Sequence, residues 1–377
     1  MKVFVPKFDA KLDPRVVVTP ETAAKLVQLG VEVEIESGLG MHLGYVDAAY
    51  SQSGATVVSS KVDGLASADW VFCLQRPDGE TLKAMPRGSR LLGSLEPFGD
   101  KALLRDFVDA GIEALSMELI PRSTLAQKMD VLSSQANLAG YAAVILAAGE
   151  LDKILPMMMT PAGTLQPSRV FILGVGVAGL QAIATAKRLG AQVEAFDTRP
   201  VVEEQVRSLG GRFLKIDLGG ETGQTEQGYA KELTPEQLER QREGLAKACA
   251  RADIVITTAK LFGRPAPRLL SASAIEKMAA GSVIVDLAVE TGGNVEGSKP
   301  DETVVTANGV RIMGPRKAEN TYPLHASQML AANYFNFFSH FWDAKEKQFI
   351  ASEEDPIMTS IRLTRDGKWL HPQISLD

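Results

Sequence analysis

The segment Arg169–Pro200 constrains the fold of this chain more than any other. Its sequence, RVFILGVGVAGLQAIATAKRLGAQVEAFDTRP, indicates an apolar strand, a turn with three glycines, a helix and a second strand. This order, within about 30 residues, is typical of a βαβ unit, in which a helix joins two parallel strands. The segment therefore predicts a parallel sheet with helices packed on it.

The three glycines form the pattern G-x-G-x-x-G directly between the strand and the helix. Gly174 permits the tight turn, Gly176 leaves room for a pyrophosphate beside the backbone, and Gly179 lets the helix pack closely on the strand. The start of the helix, at Val177 and Ala178, offers N–H groups and a positive dipole end to phosphates. The pattern predicts a dinucleotide site; a glycine turn without a ligand is the alternative.

An acidic residue ends the second strand of the unit. Asp197 follows Gly179 by 18 residues, a position at which a carboxylate accepts hydrogen bonds from the hydroxyls of the adenosine ribose. Its charge would repel a 2′-phosphate by roughly 1 to 4 kcal/mol at contact distance. We therefore predict NAD(H) rather than NADP(H), with Thr198 and Arg199 nearby. An arginine near this position can also hold a 2′-phosphate, but we expect Arg199 at the ribose edge or on the surface.

Strands and helices also alternate in the N-terminal part of the chain. Thr19 and Pro20 are residue types that favour the start of a helix, and Gly30 is typical of its end. The next residues, VEVEIESG, alternate apolar and acidic side chains. This pattern predicts a strand whose apolar residues are buried and whose acidic residues, Glu34 among them, are in solvent.

These patterns predict an α/β fold with two Rossmann-like, doubly wound parallel-sheet domains linked by long helices. A single core usually stops growing near 250 to 300 residues, and the chain has 377. The predicted domains are residues 1–135, completed by 315–377, and residues 136–314.

Two apolar stretches near the predicted boundary have specific interpretations. The run Leu138–Ala148 is shorter than the roughly 18 to 20 apolar residues needed to cross a bilayer, so we expect no membrane-spanning segment. Residues 156–168, PMMMTPAGTLQPS, are predicted to be a loop. The methionines Met157–Met159 within it are expected to fill gaps in the packing rather than to bind a metal.

Composition excludes several classes of protein. The chain is 45% hydrophobic and 23% charged, which argues against disorder. Its net charge of −6, without a long basic cluster, argues against a nucleic-acid partner. Cys73, Cys249 and four scattered histidines match neither a disulfide framework nor zinc-ligand spacing. We expect no metal, and a reducing, cytoplasmic compartment.

Several motifs together resemble the alanine dehydrogenase and nicotinamide nucleotide transhydrogenase superfamily. They are the βαβ unit described above, RVVVTPETAAKLVQLGVEVEIESGLG, QKMDVLSSQANLAGY and GSVIVDLAVETGGN. The resemblance covers almost the whole chain. Within it, PRSTLAQKMDVLSSQANLAGY, and AFDTRP followed by EQVRSLGGRF, are similar to the NAD(H)-binding domain I of proton-translocating transhydrogenase, the soluble α1 subunit.

This resemblance implies an oxidoreductase and translocase subunit of the Re/Si-specific, proton-translocating NAD(P)+ transhydrogenase. Such a subunit binds NAD(H) and transfers hydride directly between NADH and NADP+ held on a partner subunit, coupled to proton movement through membrane partners. The implied partners are the membrane-embedded subunits, the NADP(H)-binding domain and a second copy of the chain. The implied location is cytoplasmic, peripheral on the inner face of the cell membrane.

The resemblance also implies functional residues. It assigns contacts with the nicotinamide to four residues of one segment: Arg122, Gln127, Asp130 and Ser133. The chemistry of these side chains fits that role, because Gln127 has both a donor and an acceptor for the carboxamide or ribose, and Arg122 and Asp130 can pair. Single surface residues are the alternative.

Further cofactor contacts follow from the resemblance. The glycine-rich stretch LGGETGQTEQGYAKEL matches the mobile loop of the family, in which Tyr229, after Gly228, closes over NAD(H); an ordinary surface loop is the alternative. Thr258 and Ala259, at a strand end, and Asn308 are also assigned to the cofactor.

Two other functions remain open at this point: an alanine-type amino-acid dehydrogenase with an altered site, and a non-catalytic NAD(H)-sensing module. Amino-acid oxidation needs groups that accept and donate protons, for which the family uses Lys, His and Asp. The matching residues here are Arg76, Glu96 and Glu290, and no histidine lies between His42 and His325. Transfer between two nicotinamides needs positioning and exclusion of water instead, which favours the transhydrogenase.

Overall fold

The computed structural model describes residues 1–219, 223, 233–261 and 263–376. The chain forms two compact units. The first unit comprises Met1–Gln135 and Tyr322–Asp377, and the second comprises Ala136–Thr321.

Short strands alternate with helices along most of the described chain. The strands are β1 (Lys2–Val5), β2 (Glu32–Glu36), β3 (Thr56–Val58), β4 (Trp70–Cys73), β5 (Arg90–Gly93), β6 (Glu113–Ser116), β7 (Met158–Thr160), β8 (Gly163–Leu165), β9 (Arg169–Leu173), β10 (Gln192–Phe196), β11 (Arg212–Phe213), β12 (Ile254–Thr257), β13 (Val283–Asp286), β14 (Thr303–Val305), β15 (Arg311–Met313), β16 (Trp342–Asp343), β17 (Gln348–Phe349), β18 (Arg362–Arg365) and β19 (Lys368–Trp369). The α-helices are α1 (Pro20–Gln28), α2 (Asp47–Gln52), α3 (Lys61–Ala66), α4 (Gly79–Lys83), α5 (Lys101–Ala110), α6 (Val131–Glu150), α7 (Val177–Arg188), α8 (Glu203–Ser208), α9 (Pro235–Cys249), α10 (Ala272–Ile275), α11 (Pro323–His340) and α12 (Pro356–Ile361).

The sheet of the first unit has the strand order β19-β18-β6-β5-β4-β1-β2-β3. Strands β1 to β6 are parallel, and β18 and β19 extend the sheet in antiparallel pairing. The order of the first six strands, 3-2-1-4-5-6, is that of the Rossmann fold.

The sheet of the second unit repeats this topology. Its order is β11-β10-β9-β12-β13-β15-β14, parallel except for the edge strand β14. The polypeptide leaves β9 and moves outward through β10 and β11, then returns to β12 on the other side of β9. The prediction of an α/β fold with two Rossmann-like parallel sheets is confirmed.

Helix α1 begins where the sequence predicts, but the strand after it differs in one respect. The Thr19 hydroxyl accepts the Thr22 N–H, and the Thr22 hydroxyl accepts the Thr19 N–H, which completes a capping box. Glu34, predicted in solvent, is instead buried, with its carboxylate 2.8 Å from the Lys2 ammonium. Because β2 is an interior strand covered on both faces, its alternation does not mark an exposed face.

Helix α11 packs on the first unit through aromatic side chains. Phe338 lies against both Trp70 and Phe72 of β4, with ring centroids 5.4 Å and 5.7 Å apart. The hydroxyl of Tyr334 donates to the carbonyl of Cys73 at 2.8 Å. All these rings are fully buried, so the C-terminal helix contributes a large part of the core of this unit.

Helix α6 is longer than the apolar run that the sequence analysis considered. Among the helices of the described residues, it alone is long and apolar enough to cross a membrane by length and composition. The core helix of a water-soluble domain meets the same criterion, and Ala142, Ala143, Val144 and Ala147 are fully buried. The observation is therefore weak evidence for a membrane span.

Residues 156–168 are not simply a loop, because they contain the hairpin β7–β8. The predicted packing role of Met157–Met159 is wrong. Their exposed fractions are 57%, 47% and 77%, and Leu165 on the second strand is 54% exposed. The hairpin therefore presents apolar side chains on the protein surface.

The aromatic packing of α11 predicts the stability of the first unit. Phe338→Ala should lower its free energy of unfolding by about 3 to 5 kcal/mol, because the cavity left among buried rings cannot fully close. All three tryptophans of the chain lie in this unit, so fluorescence during urea unfolding reports on it specifically. Leu324→Ala, at an exposed position of the same helix, is the control and should change stability by less than about 0.5 kcal/mol. Equal losses in both variants would contradict the packing argument.

Candidate nucleotide site

The glycine turn after β9 has the close approaches that its sequence predicts. Gly174 has φ +94°, and a Cβ there would lie 2.6 Å from the Thr258 hydroxyl. A Cβ on Gly179 would overlap the carbonyl oxygen of Gly174, whereas a Cβ on Gly176 would meet nothing within 4 Å. The turn is thus tightly packed at its first and third glycines and open at the second, the space a pyrophosphate requires.

Helix α7 starts directly after Gly176, which is its N-cap residue. The first N–H groups of a helix, here those of Val177 and Ala178, have no partner within the helix and can bind an anion. Helix α6 packs on this turn, and a side chain at Gly140 would overlap the carbonyl of Ala178. A small residue at position 140 therefore lets α6 support the first turn of α7.

Other predicted residues lie at the same edge of the second sheet. Strands β9, β10, β12 and β13 are parallel, so their carboxyl ends share one edge. Thr258 follows β12 and donates its hydroxyl to the carbonyl of Gly174 at 3.0 Å. Asp197 follows β10, and its carboxylate accepts the N–H of Val175 at 2.8 Å. The structure therefore brings the glycine turn, Asp197 and Thr258 together, an arrangement that fits the phosphates and ribose of a dinucleotide.

Arg199 is not a surface residue, because it is half-buried against Asp197. Its Nε and Nη2 donate to the two oxygens of Asp197 at 2.9 Å and 2.8 Å. Nη2 also donates to the carbonyl of Val175 at 3.1 Å. The hydrogen bonds to Asp197 raise the pKa of the Arg199 guanidinium above its usual value. Thr198, between the two, is also half-buried.

Two buried polar residues that the sequence analysis missed hold the loops beside this edge. Asp286, at the end of β13, accepts the Thr257 hydroxyl and the N–H groups of Ala288, Asn294 and Val295 at 3.0 to 3.2 Å. The signal was an acidic residue ending the apolar strand SVIVD, where the fold requires a buried position.

Asn294 carries this order to the predicted cofactor segment. Its side-chain oxygen accepts the N–H of Ala259 at 3.0 Å, and its side-chain nitrogen donates to the carbonyls of Ala259 and Pro267, both at 2.8 Å. Asp286 therefore shapes the loop that fixes Ala259, and Asn294 makes the direct contact.

The prediction of a cofactor contact at Asn308 is wrong. Asn308 lies in the turn between β14 and β15, before β15 begins. Because β15 is parallel to β13, this turn is at the amino edge of the sheet, opposite Gly174 and Asp197. Its side chain donates to carbonyls at Ile275, Glu276 and Met278, and thereby stabilises the end of the α10 segment.

The predicted nicotinamide segment lies in the first unit. Gln127 is the first residue of a 3₁₀ turn, Gln127–Met129, that is anchored by the fully buried side chains of Ala126 and Met129. The carbonyl of Lys128 in this turn accepts the side-chain amides of Asn333 and Asn336 of α11, at 2.9 Å and 3.0 Å. Gln127 itself is exposed, as is Arg122. The segment is therefore held in a defined shape with its polar side chains on the surface.

Asp130 and Ser133 bind each other at the start of α6. The Asp130 carboxylate accepts the N–H of Ser133 at 2.9 Å and its hydroxyl at 2.6 Å. Asp130 thus acts as the N-cap of α6. Tyr229 and Gly228, the predicted residues of the mobile loop, lie outside the described residues.

The positions that match the acid and base groups of amino-acid dehydrogenases have different surroundings here. Glu96 adopts φ +52°, and its N–H donates at 2.9 Å to the buried Glu118, whose pKa is raised by burial. Glu290 lies 3.7 Å from the Lys260 ammonium. Within the described residues, no group of three or more His, Cys, Asp or Glu side chains is placed to hold a metal.

Comparison with known proteins agrees with this arrangement. Residues 4–139 match the family profile of the alanine dehydrogenase/PNT N-terminal domain, and residues 143–372 match that of the C-terminal domain. The chain belongs to the alanine dehydrogenase/PNT family. An NAD(P) transhydrogenase alpha subunit of Rhodospirillum rubrum is 42% identical over 381 residues, covering 100% of this chain and 99% of that protein.

Solved structures of both branches of the family are similar to this chain. The transhydrogenase of Sinorhizobium meliloti has a TM-score of 0.85 at 38% identity, with 99% of each chain covered. An L-alanine dehydrogenase has a TM-score of 0.82 at 26% identity, covering 99% of this chain and 98% of that one. The fold is thus common to the two branches, and the higher identity is with the transhydrogenases.

Asp286 generates a prediction about the order of this edge. Asp286→Asn replaces one acceptor oxygen by an amide that faces backbone N–H donors, so the free energy of unfolding of the second unit should fall by about 1 to 3 kcal/mol. Hydrogen exchange of the amides of Ala288, Asn294 and Val295 should accelerate. Glu302→Gln, at an exposed position, is the control. Unchanged exchange in the Asp286 variant would show that the carboxylate does not hold the loop.

Proposed function

We propose that this chain is the NAD(H)-binding subunit of a proton-translocating NAD(P)+ transhydrogenase. The observation that carries the proposal is the nucleotide cradle of the second unit, in which an open glycine, a helix N terminus and a ribose-binding carboxylate share one sheet edge. The 42% identity with a transhydrogenase subunit over the full chain supports the same conclusion.

In this proposal the second unit binds the adenosine and pyrophosphate of NAD(H). The N–H groups at the start of α7 bind the phosphates, Asp197 accepts the ribose hydroxyls, and Thr258 and Ala259 line the same edge. Bound NADH supplies a hydride from its C4 to the C4 of NADP+ on the partner. The chain provides no proton in that step, so its residues need only orient the nucleotide and exclude water.

The nicotinamide end is assigned to the segment of the first unit. Gln127 is exposed on an anchored turn, so its amide is available to the carboxamide or ribose. Asp130 and Ser133 fix the start of α6, and Arg122 contributes a cation to the same segment. Tyr229 is proposed to close over the nucleotide and to exclude water.

The proposed partners are the membrane-embedded transhydrogenase subunits and the NADP(H)-binding domain, which carry proton movement and the second nucleotide. The chain would therefore act at the cytoplasmic face of the membrane. An amino-acid dehydrogenase is the second candidate, because the L-alanine dehydrogenase fold matches over nearly the whole chain. The residues Arg76, Glu96 and Glu290 at its acid and base positions argue against it.

Reconstitution tests the proposed reaction. The purified chain, mixed with NADH and a separately purified NADP(H)-binding partner domain, should reduce an NADP+ analogue, and neither protein alone should do so. Alanine should not drive NAD+ reduction by the chain. Alanine-dependent reduction without any transfer in the mixture would overturn the proposal in favour of the dehydrogenase.

Gln127 provides a test of positioning. Gln127→Asn keeps the amide but withdraws it by one methylene, and a misplacement of about 1 Å can cost on the order of 100-fold in rate. We expect a loss of that order in hydride transfer, with NADH affinity changed by less than about threefold. Lys128→Gln, at the next and equally exposed side chain, should leave both unchanged. Parallel losses of rate and affinity would instead indicate a binding role.

We also propose that the chain is a homodimer and that the hairpin β7–β8 lies in its interface. An isolated two-stranded hairpin is marginally stable in water, and this one exposes Met157–Met159 and Leu165. Large exposed apolar patches on a monomer mark interaction sites. A second copy of the chain is the occupant that the implied dimer supplies.

Sedimentation tests the dimer. Met159→Asp places a charge at the most exposed methionine of the hairpin, and we expect it to shift the chain from dimer to monomer. Val62→Asp, at an exposed apolar position of the first unit, is the matched control and should remain dimeric. A wild-type monomer, or a dimer unaffected by Met159→Asp, would contradict the proposed interface.

A further inference from the structure

The carboxylate that is proposed to bind the ribose is already occupied by protein donors. Oδ1 of Asp197 accepts the backbone N–H and the Nε of Arg199, both at 2.9 Å. Oδ2 accepts the N–H of Val175 and the Nη2 of Arg199, both at 2.8 Å. Each oxygen therefore has one backbone donor and one guanidinium donor, and the carboxylate has a single orientation at the end of β10.

The guanidinium is held as firmly as the carboxylate. Arg199 approaches Asp197 with two nitrogens in the parallel geometry that gives arginine–carboxylate pairs their strength and directionality. Its Nη2 also reaches the carbonyl of Val175, in the glycine turn. The side chains of Asp197 and Arg199 are only 7% and 15% exposed, so water screens this pair less than it screens a surface ion pair.

This pair has a consequence for the choice between the two nicotinamide nucleotides. A guanidinium is also a bidentate ligand for phosphate, and Arg199 lies beside the group that is proposed to accept the ribose 2′-hydroxyl. A 2′-phosphate at that position would meet an arginine whose charge is already compensated and a carboxylate of like charge.

We infer that Arg199 has two roles: it positions Asp197 for the ribose, and it is a latent 2′-phosphate ligand that Asp197 keeps occupied. Selectivity for NAD(H) then resides in the ion pair and not in Asp197 alone. This inference rests on the proposed function, because it assumes that the second unit binds NAD(H).

Removal of either partner should therefore have opposite effects on the two nucleotides. Without the carboxylate charge, Arg199 keeps its contact with Val175 but carries an uncompensated charge beside the 2′ position. Without the guanidinium, Asp197 keeps the N–H groups of Val175 and residue 199 but loses the fork that orients it. The first change should create affinity for a 2′-phosphate, and the second should only weaken ribose binding.

The experiment measures binding of 5′-AMP, 2′,5′-ADP, NADH and NADPH to the full chain by calorimetry. The variants are Asp197→Asn, Arg199→Gln, the double variant and Arg199→Lys. Relative to wild type, Asp197→Asn should bind 2′,5′-ADP and NADPH at least about tenfold more tightly, and rising salt should reduce that gain. The double variant should lose the gain. Arg199→Gln should bind NADH about tenfold more weakly without gaining 2′,5′-ADP, and Arg199→Lys should not restore NADH binding fully.

The outcomes separate this inference from the function on which it rests. If the wild-type chain binds no NADH, the proposed function fails. If it binds NADH, but Asp197→Asn and the double variant bind 2′,5′-ADP equally, the latent phosphate role of Arg199 is overturned. Thermal unfolding of each variant checks that the fold persists. Should Asp197→Asn unfold, Asp197→Ser removes the same charge with a smaller side chain, and the same comparison with its Arg199→Gln double variant applies.

Discussion

The second unit depends on the close approach of three backbone segments at the carboxyl edge of its sheet. The turn after β9, the start of α7 and the end of β12 meet where Gly174 and Gly179 have no side chain. A methyl group at either glycine would overlap Thr258 or the turn itself, and would separate the helix from the strand. The open space at Gly176 exists because its two neighbouring glycines allow this packing.

Buried carboxylates at strand and helix ends hold the loops around this contact. Asp286 collects three backbone N–H groups of the loop after β13, Asp197 holds the glycine turn through Val175, and Asp130 caps α6. Each loop is therefore ordered by hydrogen bonds to a charged acceptor, which are stronger than bonds between neutral groups. Order of this kind reduces the entropy that a loop loses when it binds a ligand, and it suits a site that aligns a nucleotide without exchanging protons with it.

In the first unit the same result is reached by packing. Helix α11 comes from the far end of the chain, fills the core with Phe338 and Tyr334, and uses Asn333 and Asn336 to bind the carbonyl of Lys128. The core and the segment that carries Gln127 therefore share one support. A disturbance of α11 would reach the proposed nicotinamide segment through those two asparagines.

Local sequence was sufficient for the features that depend on nearest neighbours along the chain. The βαβ unit, the turn conformation of Gly174, the capping of α1 by Thr19 and the alternation of strands and helices all follow from spacing and residue type. Family resemblance added residues whose cofactor contacts remain proposals. The errors have one cause, since Glu34, Met157–Met159 and Asn308 were judged without the elements that lie beside them.

The sequence by itself determined the fold class, the position of the nucleotide cradle and the presence of an acidic residue at the end of β10. Only the tertiary structure decided that Arg199 is paired with this acid, that Asp286 and Asn294 order the neighbouring loop, and that Asn308 lies at the opposite edge of the sheet. The physical reason is that turns and caps are made within a few residues, whereas burial and ion pairing depend on segments that the sheet topology brings together from distant parts of the chain.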